Sequence, residues 1–257
     1  MSSIELYSAE VCPFAQRTRI VLMEKGLEFT VTEIDLAHKP DWFAHVSPYG
    51  KVPVLVQGDV RVYESAIINE YLEEVFPEPA LMPGTPALRA AARMWIDFCN
   101  TCFIPPFYKL LLEQDEKVQI ELNEKVAGEL IFAEREGFAE LAGDGPYWLG
   151  EQCSLVDITW YPFFERFGVM KHYRGMVIPT ECKRLNEWFG VMQQRESVKA
   201  TGHTTDYYIE RYAKYADGSA DGVTAREMRD APADEDPYRD VLASVQHDSV
   251  QEGDEVE

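Results

Sequence analysis

The sequence changes character at Pro83-Gly84-Thr85-Pro86. Upstream, short apolar or alternating runs take turns with segments of helical period; downstream, every patterned segment is helical. Residues 4–7 read as a strand, and Arg17 to Lys25 place Ile20, Val21, Leu22 and Met23 on the core side of a helix that Gly26 stops. Leu27 to Ile34 alternates apolar and polar residues and predicts a second strand, so this part is a βαβ unit. Lys39-Pro40-Asp41-Trp42-Phe43 is a short irregular or single-turn piece, and Ser47-Pro48-Tyr49-Gly50-Lys51 is turn chemistry. Val52 to Val56 reads as a strand whose Pro53 cannot donate to a ladder and belongs at a strand start or edge. Gly58-Asp59 turns the chain into Val60 to Tyr63, and a helix follows from Ala66 to Val75. The order is βαβ, loop, ββα.

The boundary lies near residues 77–87. Beyond it, Leu88 to Asn100 predicts a helix that can run on to Phe103, with Pro105-Pro106 expected to bend or break it. A polar helix is expected over about 115–142, and further ones over about 180–194 and 205–215. Ser154-Leu155-Val156-Asp157 has the spacing of a capping box, and Ser154 and Asp157 read as a structural N-cap rather than a catalytic pair. The expected class is therefore α+β: an α/β unit over residues 1–80, an all-helical unit over 87–215, and a tail over 216–257.

That tail carries thirteen Asp/Glu against three Arg, a balance of −10 within a chain whose net charge is −21. Its expected state is disordered or loosely packed, although it could also cover a pocket. So acidic a protein is repelled by phosphate, which argues against a nucleic-acid partner. No apolar run approaches the ~18 residues of a membrane span, and the N-terminus lacks the basic and apolar regions of a signal peptide. The five cysteines are odd in number and irregularly spaced, which points to a reducing compartment, the cytoplasm, rather than a disulfide framework.

Of the five, Cys12 stands apart. In Val11-Cys12-Pro13-Phe14-Ala15-Gln16-Arg17-Thr18 it sits where a strand ends and a helix begins. Free N–H groups and the positive end of the helix dipole favour a thiolate there, and Pro13 suits a first helical turn. A lone cysteine is otherwise a small buried hydrophobe, so a functional role needs a partner for the sulfur. Cys99-x-x-Cys102 lies on a helical segment and reads as core packing; His38 and His45 have no partner cluster, and no metal is expected.

Taken together, the motif Cys12 to Arg17, Lys39-Pro40-Asp41-Trp42, Gly50 to Leu55 and Tyr63-Glu64-Ser65-Ala66-Ile67 resemble the soluble glutathione transferases, in particular their cysteine-type, omega-like and lambda-like branch. Tyr147-Trp148-Leu149-Gly150, Ser154 to Ile158 and Tyr161-Pro162-Phe163-Phe164-Glu165-Arg166 extend the likeness, which covers about residues 3–215. The resemblance implies a thioredoxin-like N-terminal domain, an all-helical C-terminal domain, glutathione as co-substrate and a homodimer. It also implies Cys12 as the catalytic cysteine, with Phe14 beside it, Lys39 near the glycine carboxylate, and the Val52 backbone on the cysteinyl part. Pro53 matches a cis-proline, and Glu64 and Ser65 receive the γ-glutamyl end. The residues agree with these roles: Glu64 can pair an ammonium, and Ser65 at a helix start suits a carboxylate.

Position 15 is alanine, so no resolving cysteine follows Cys12 three residues on. The expected activity is thiol transfer or reduction, in which Cys12 becomes glutathionylated and a second glutathione releases it. Suitable substrates are mixed disulfides, dehydroascorbate-type oxidants or S-glutathionyl ketones. An alternative is conjugation, ether cleavage or dehalogenation of a small aromatic electrophile, in a second pocket of Phe103, Phe107, Tyr108, Tyr208, Ile209 and Tyr212. Another is a non-enzymatic regulator on the same fold.

Overall fold

The computed structural model describes residues 3–230. β1 (Ile4–Ser8) buries alternate residues and is followed by α1 (Pro13–Glu24), which crosses to β2 (Phe29–Glu33), parallel to β1 with Leu6 opposite Val31. After the single turn α2 (Phe43–Val46), β3 (Val54–Gln57) runs antiparallel to β1 with Leu55 opposite Leu6. β3 forms a hairpin with β4 (Val60–Tyr63), and α3 (Ser65–Val75) closes the unit. The sheet order is β2-β1-β3-β4, the mixed four-stranded sheet of a thioredoxin-like domain.

Two boundaries differ from the sequence reading, and both bear on the site. The first helix starts at Pro13, where the Cys12-Pro13 junction puts its first turn, rather than at the Arg17 of the periodic segment, because proline at its first position needs no N–H partner; Cys12 is therefore its N-cap. β3 starts at Val54, because Val52 and the cis-linked Pro53 precede the paired residues.

The helical half begins with α4 (Pro86–Phe98), whose N-cap Thr85 accepts from Leu88 N–H at 3.3 Å. A π-helical turn, Cys99–Phe103, joins it to α5 (Ile104–Leu112). Pro105 and Pro106 therefore do not break the chain: they fall in the first turn of α5, where their missing N–H groups are tolerated. Asp115 caps α6 (Glu116–Phe132), which continues through a second π-helical turn, Ala133–Ala139. Gly137 in that turn lies where a Cβ would come within 2.7 Å of the Trp95 ring.

α7 (Leu155–Phe164) is followed by α8 (Phe167–Arg174), α9 (Lys183–Met192), α10 (Glu196–Thr201) and α11 (Thr205–Ala216). The sequence reading contains neither α8 nor α10, which are short and become ordered by packing rather than by a long apolar period. The loose tail expected from residue 216 also needs correction: Val223–Asp230 forms α12, which packs on α5 and buries Ala225. The remainder of that tail lies outside the described residues.

One hydrophobic core joins the two halves. Leu6, Ile20, Leu55 and Leu72 pack continuously with Trp95, Trp160 and Phe163. Trp160 stacks on Trp148 and Phe103, each with centroids 5.0 Å apart. Polar links reinforce the seam. Glu24 on α1 accepts from Arg195 Nε at 2.8 Å and from the Ser197 hydroxyl, and Gln16 Nε2 donates to Glu165 at 2.8 Å.

Candidate active site

Cys12 caps α1 in an extended conformation, with φ −78° and ψ 117°, and its N–H donates to Ala9 carbonyl at 2.9 Å. The thiol points at the Val52 carbonyl, with Sγ 3.8 Å from the oxygen. Burial pushes the thiol up, and it outweighs the N–H groups of Ala15 and Phe14 and the charges of Arg166 and Arg19, which pull it down. Desolvation thus opposes the helix terminus, which by itself favours ionisation.

The sulfur opens on a cavity of about 140 Å³. Cys12, Phe14, Lys39, Val52, Pro53, Glu64 and Ser65 all line it. Local chemistry explains how they meet. The Ser47 hydroxyl donates to the Lys51 carbonyl at 2.8 Å and accepts from the Lys51 N–H at 2.9 Å, which closes the turn before Val52. Gly50 completes this turn at φ 63°, and the Lys39 ammonium lies 3.8 Å from where a Cβ would be. Lys39 and Lys51 both line the cavity, and burial, with the nearby Arg226 charge, lowers the Lys39 ammonium below its ordinary value.

Glu64 is the only non-glycine residue among those described with positive φ, at 69°. An L-residue in that conformation stores strain, which is characteristic of residues whose backbone is held for a purpose. Next to it Ser65 opens α3 and is buried, and its hydroxyl accepts from Arg17 Nη1 at 3.3 Å. The other partners of the buried Arg17 are the Thr159 carbonyl at 2.8 Å, Asn100 Oδ1 at 2.9 Å and Cys99 Sγ at 3.6 Å. None of these is a carboxylate.

The residues expected to form a second-substrate pocket do not line this cavity. Phe103 is fully buried against Trp160 and Phe107. Tyr108 is buried edge-on against Phe163. The Tyr208 hydroxyl donates to Glu165 at 2.8 Å, and that of Tyr212 faces Val11 carbonyl at 3.5 Å. Ile209 is half-buried, with its carbonyl accepting from the Tyr173 hydroxyl at 2.9 Å. These side chains are large and apolar enough to be drawn into the core between helices. The cavity wall comes instead from Tyr215, Val223, Thr224, Glu227 and Met228.

The sequence reading missed that wall, along with Lys51 and Arg17. Lys51 was within reach of it, as a second cation beside the same turn. Ser154 and Asp157 lie apart from the cavity. Asp157 accepts from the Ser154 N–H at 2.7 Å, the Ser154 hydroxyl at 2.6 Å, the Trp148 N–H at 3.0 Å and Trp188 Nε1 at 2.8 Å. None of the five cysteines is in a disulfide and all are buried, and the described residues contain no cluster of three or more His, Cys, Asp or Glu fit for a metal. No described helix is long and apolar enough to cross a membrane.

Residues 11–75 match the family model described as glutathione S-transferase, N-terminal domain, and residues 135–190 match that of the C-terminal domain. Glutathione S-transferase omega-1 of Mus musculus is 33% identical over 219 residues, which are 81% of this chain and 85% of the relative. Glutathione S-transferase U28 of Arabidopsis thaliana is 33% identical over 195 residues, or 74% and 84% of the two chains. Among solved structures, glutathione transferase Omega 3C from Trametes versicolor superposes with a TM-score of 0.74 at 31% identity, covering 84% of this chain and 91% of that one. Two-part fold, matched domains and relatives agree, and the chain belongs to the glutathione S-transferase family.

Proposed function

We propose that the protein is a glutathione-dependent thiol transferase of the omega type, with Cys12 as its nucleophile. The observation that carries this reading is Cys12 Sγ, 3.8 Å from the Val52 carbonyl, on the cavity that Lys39, Glu64 and Ser65 share. Glutathione is an extended peptide with two carboxylates and an ammonium. The backbone at Val52, outside the β3 ladder, suits its cysteinyl part, by the same edge addition that extends a sheet. Ser65, at the N-terminus of α3, suits the γ-glutamyl carboxylate, and Glu64 the ammonium. Lys39, with Lys51 on the same cavity, suits the glycine carboxylate.

In the first step the Cys12 thiolate attacks the glutathione sulfur of a mixed disulfide. A Cys12–glutathione disulfide forms, and the substrate thiolate leaves and takes up a proton. In the second step an external glutathione thiolate attacks the glutathione sulfur of that adduct, which releases glutathione disulfide and the Cys12 thiolate. Each turnover thus consumes one external glutathione: its sulfur joins the glutathione the substrate carried in one disulfide, the electrons end on the substrate thiol, and no second protein thiol is needed. Replacing Cys12 with Ser tests the reading: disulfide reduction should vanish while glutathione still binds. A C12S protein with the wild-type reductase rate would overturn it.

The apolar part of the wall, Phe14, Tyr215, Val223 and Met228, favours conjugation as a second reading. Product analysis separates the two, because conjugation yields a stable thioether and thiol transfer yields glutathione disulfide. The proposed assembly is a homodimer through the face of α3 and α4, where Ile67 and Met94 are 59% and 67% exposed. Light scattering at a mass of one chain would overturn that.

A further inference from the structure

The stretch Glu165-Arg166 lies outside the cavity yet touches both sides of Cys12. Arg166 is only 1% exposed and stands between α7 and α8, in the helical half. Its Nη2 donates to the carbonyl of Val11, the residue before Cys12, at 3.2 Å. Its Nη1 donates to Gln16 Oε1 at 2.6 Å, and the Gln16 N–H in turn donates to the Cys12 carbonyl at 3.0 Å. Glu165 and the Pro162 carbonyl hold the same Nη1 at 2.8 and 2.7 Å, and the Tyr208 ring lies 4.1 Å beneath the guanidinium. The guanidinium is thus rigid, buried, and fastened on one side to the loop that enters α1 and on the other to the first turn of α1.

We infer that Arg166 is a positioning residue for Cys12: it clamps Val11 and Gln16 from the helical half, so that the N-terminus of α1 stays aimed at the sulfur and a buried positive charge is held beside it. The inference rests on the reading of Cys12 as nucleophile. A buried cation at this place also acts on the thiol through its charge, favouring the thiolate. The other charged or titratable groups facing Cys12 are Arg17 and Arg19 from α1, Tyr108 from α5 and Tyr215 from α11. Across the cavity stand Lys39, Lys51, Glu64 and Glu227. Facing Arg166 itself are Glu165 beside it, Tyr161 from α7, and Tyr208 and Tyr212 from α11. Glu165 is the only carboxylate among the described groups bonded to Arg166, so its removal and that of Arg166 should have opposite effects.

The experiment follows alkylation of Cys12 by iodoacetamide in the full-length protein without glutathione, read by mass spectrometry at pH 7.5. Arg166→Gln should slow it about fivefold, Arg166→Lys should recover part of the loss, and Glu165→Gln should speed it about twofold, since the thiolate fraction of a mostly protonated thiol follows its pKa about tenfold per pH unit. Glutathione affinity should move less than threefold in all three. If all three substitutions slow alkylation alike, or none changes it, the inference is overturned, because a merely structural clamp has no charge-signed response. Should R166Q fail to fold, the opposed shifts in R166K and E165Q decide. The inference and the proposed function fail separately: wild-type reductase activity in C12S sinks the latter, whereas the alkylation pattern concerns the thiol alone.

Discussion

Glu227 on α12 places a carboxylate oxygen 2.7 Å from the Lys51 ammonium, and Glu227, Thr224 and Met228 of the same helix line the cavity that holds Cys12. An acid of the chain thus occupies a cation that, on the proposed reading, helps receive the glycine carboxylate of glutathione. Both side chains remain partly exposed, at 34% and 49%, so the pair contributes little, about 0.2–1 kcal/mol, and a bound carboxylate can displace it.

Glu227→Gln should therefore tighten glutathione. The expected fall in KM is about two- to fivefold, the equivalent of an exposed ion pair, with kcat nearly unchanged. Lys51→Met should raise KM instead. A rise in KM for E227Q would show that the acid assists binding rather than competing with it.

The Cys12 thiol, held up by burial, should be mostly protonated at neutral pH in the glutathione-free protein. Its alkylation rate should then climb about tenfold per pH unit and keep climbing past about 8.5, the midpoint of a free cysteine. A plateau reached below pH 7 would mean that the helix terminus outweighs burial after all.

Asp157→Ala should destabilise the protein by about 3 kcal/mol, because it strands the Trp148 N–H, Ser154 N–H and Trp188 Nε1 donors in the core. In a chain of this length that corresponds to a fall in Tm of about 6–12 °C. Glutathione affinity of the folded fraction should not change; a selective loss of activity at unchanged Tm would instead give Asp157 a part in the chemistry.

Burial pushes the Glu24 carboxyl up, but the hydrogen bonds from Arg195 and Ser197 outweigh it and leave the carboxyl below its ordinary value. A carboxyl lowered by folding contributes stability that is present above its unfolded value, about 4.3, and is lost as pH falls through the folded value. Tm should thus drop on acidification below about pH 4.5, and Glu24→Gln should flatten that part of the profile. An identical acid limb in E24Q would assign the loss to other carboxylates.

Much of the site was legible because its parts are local. Cys12-Pro13 marks a strand-to-helix junction by its own backbone preferences, and Glu64-Ser65 marks a helix start in the same way. Val52-Pro53 announces a place where a ladder must stop. The order of strands and helices followed from periodicity, and Asp157 from the spacing of a capping box. The aromatic residues Phe103, Tyr108, Tyr208 and Tyr212, and Ile209 beside them, carried no such mark: helical period shows that a side chain faces inward, not whether it meets packed core or a cavity.

What the sequence alone determined is therefore the two-part architecture and the residues whose backbone or turn chemistry sets the cavity. Tertiary structure alone decided what surrounds the sulfur. Arg17 reaches Thr159 across 142 residues and Arg166 reaches Val11 across 155, and no local pattern distinguishes these arginines from surface ones. The acidic composition beyond residue 216 likewise left a solvated tail and a pocket cover both open, and the fold seats α12 over the cavity by Lys51 and α5. The physical reason is common to all three. Desolvation and long-range charge depend on which distant groups the fold brings together, and these set the surroundings of the Cys12 thiol.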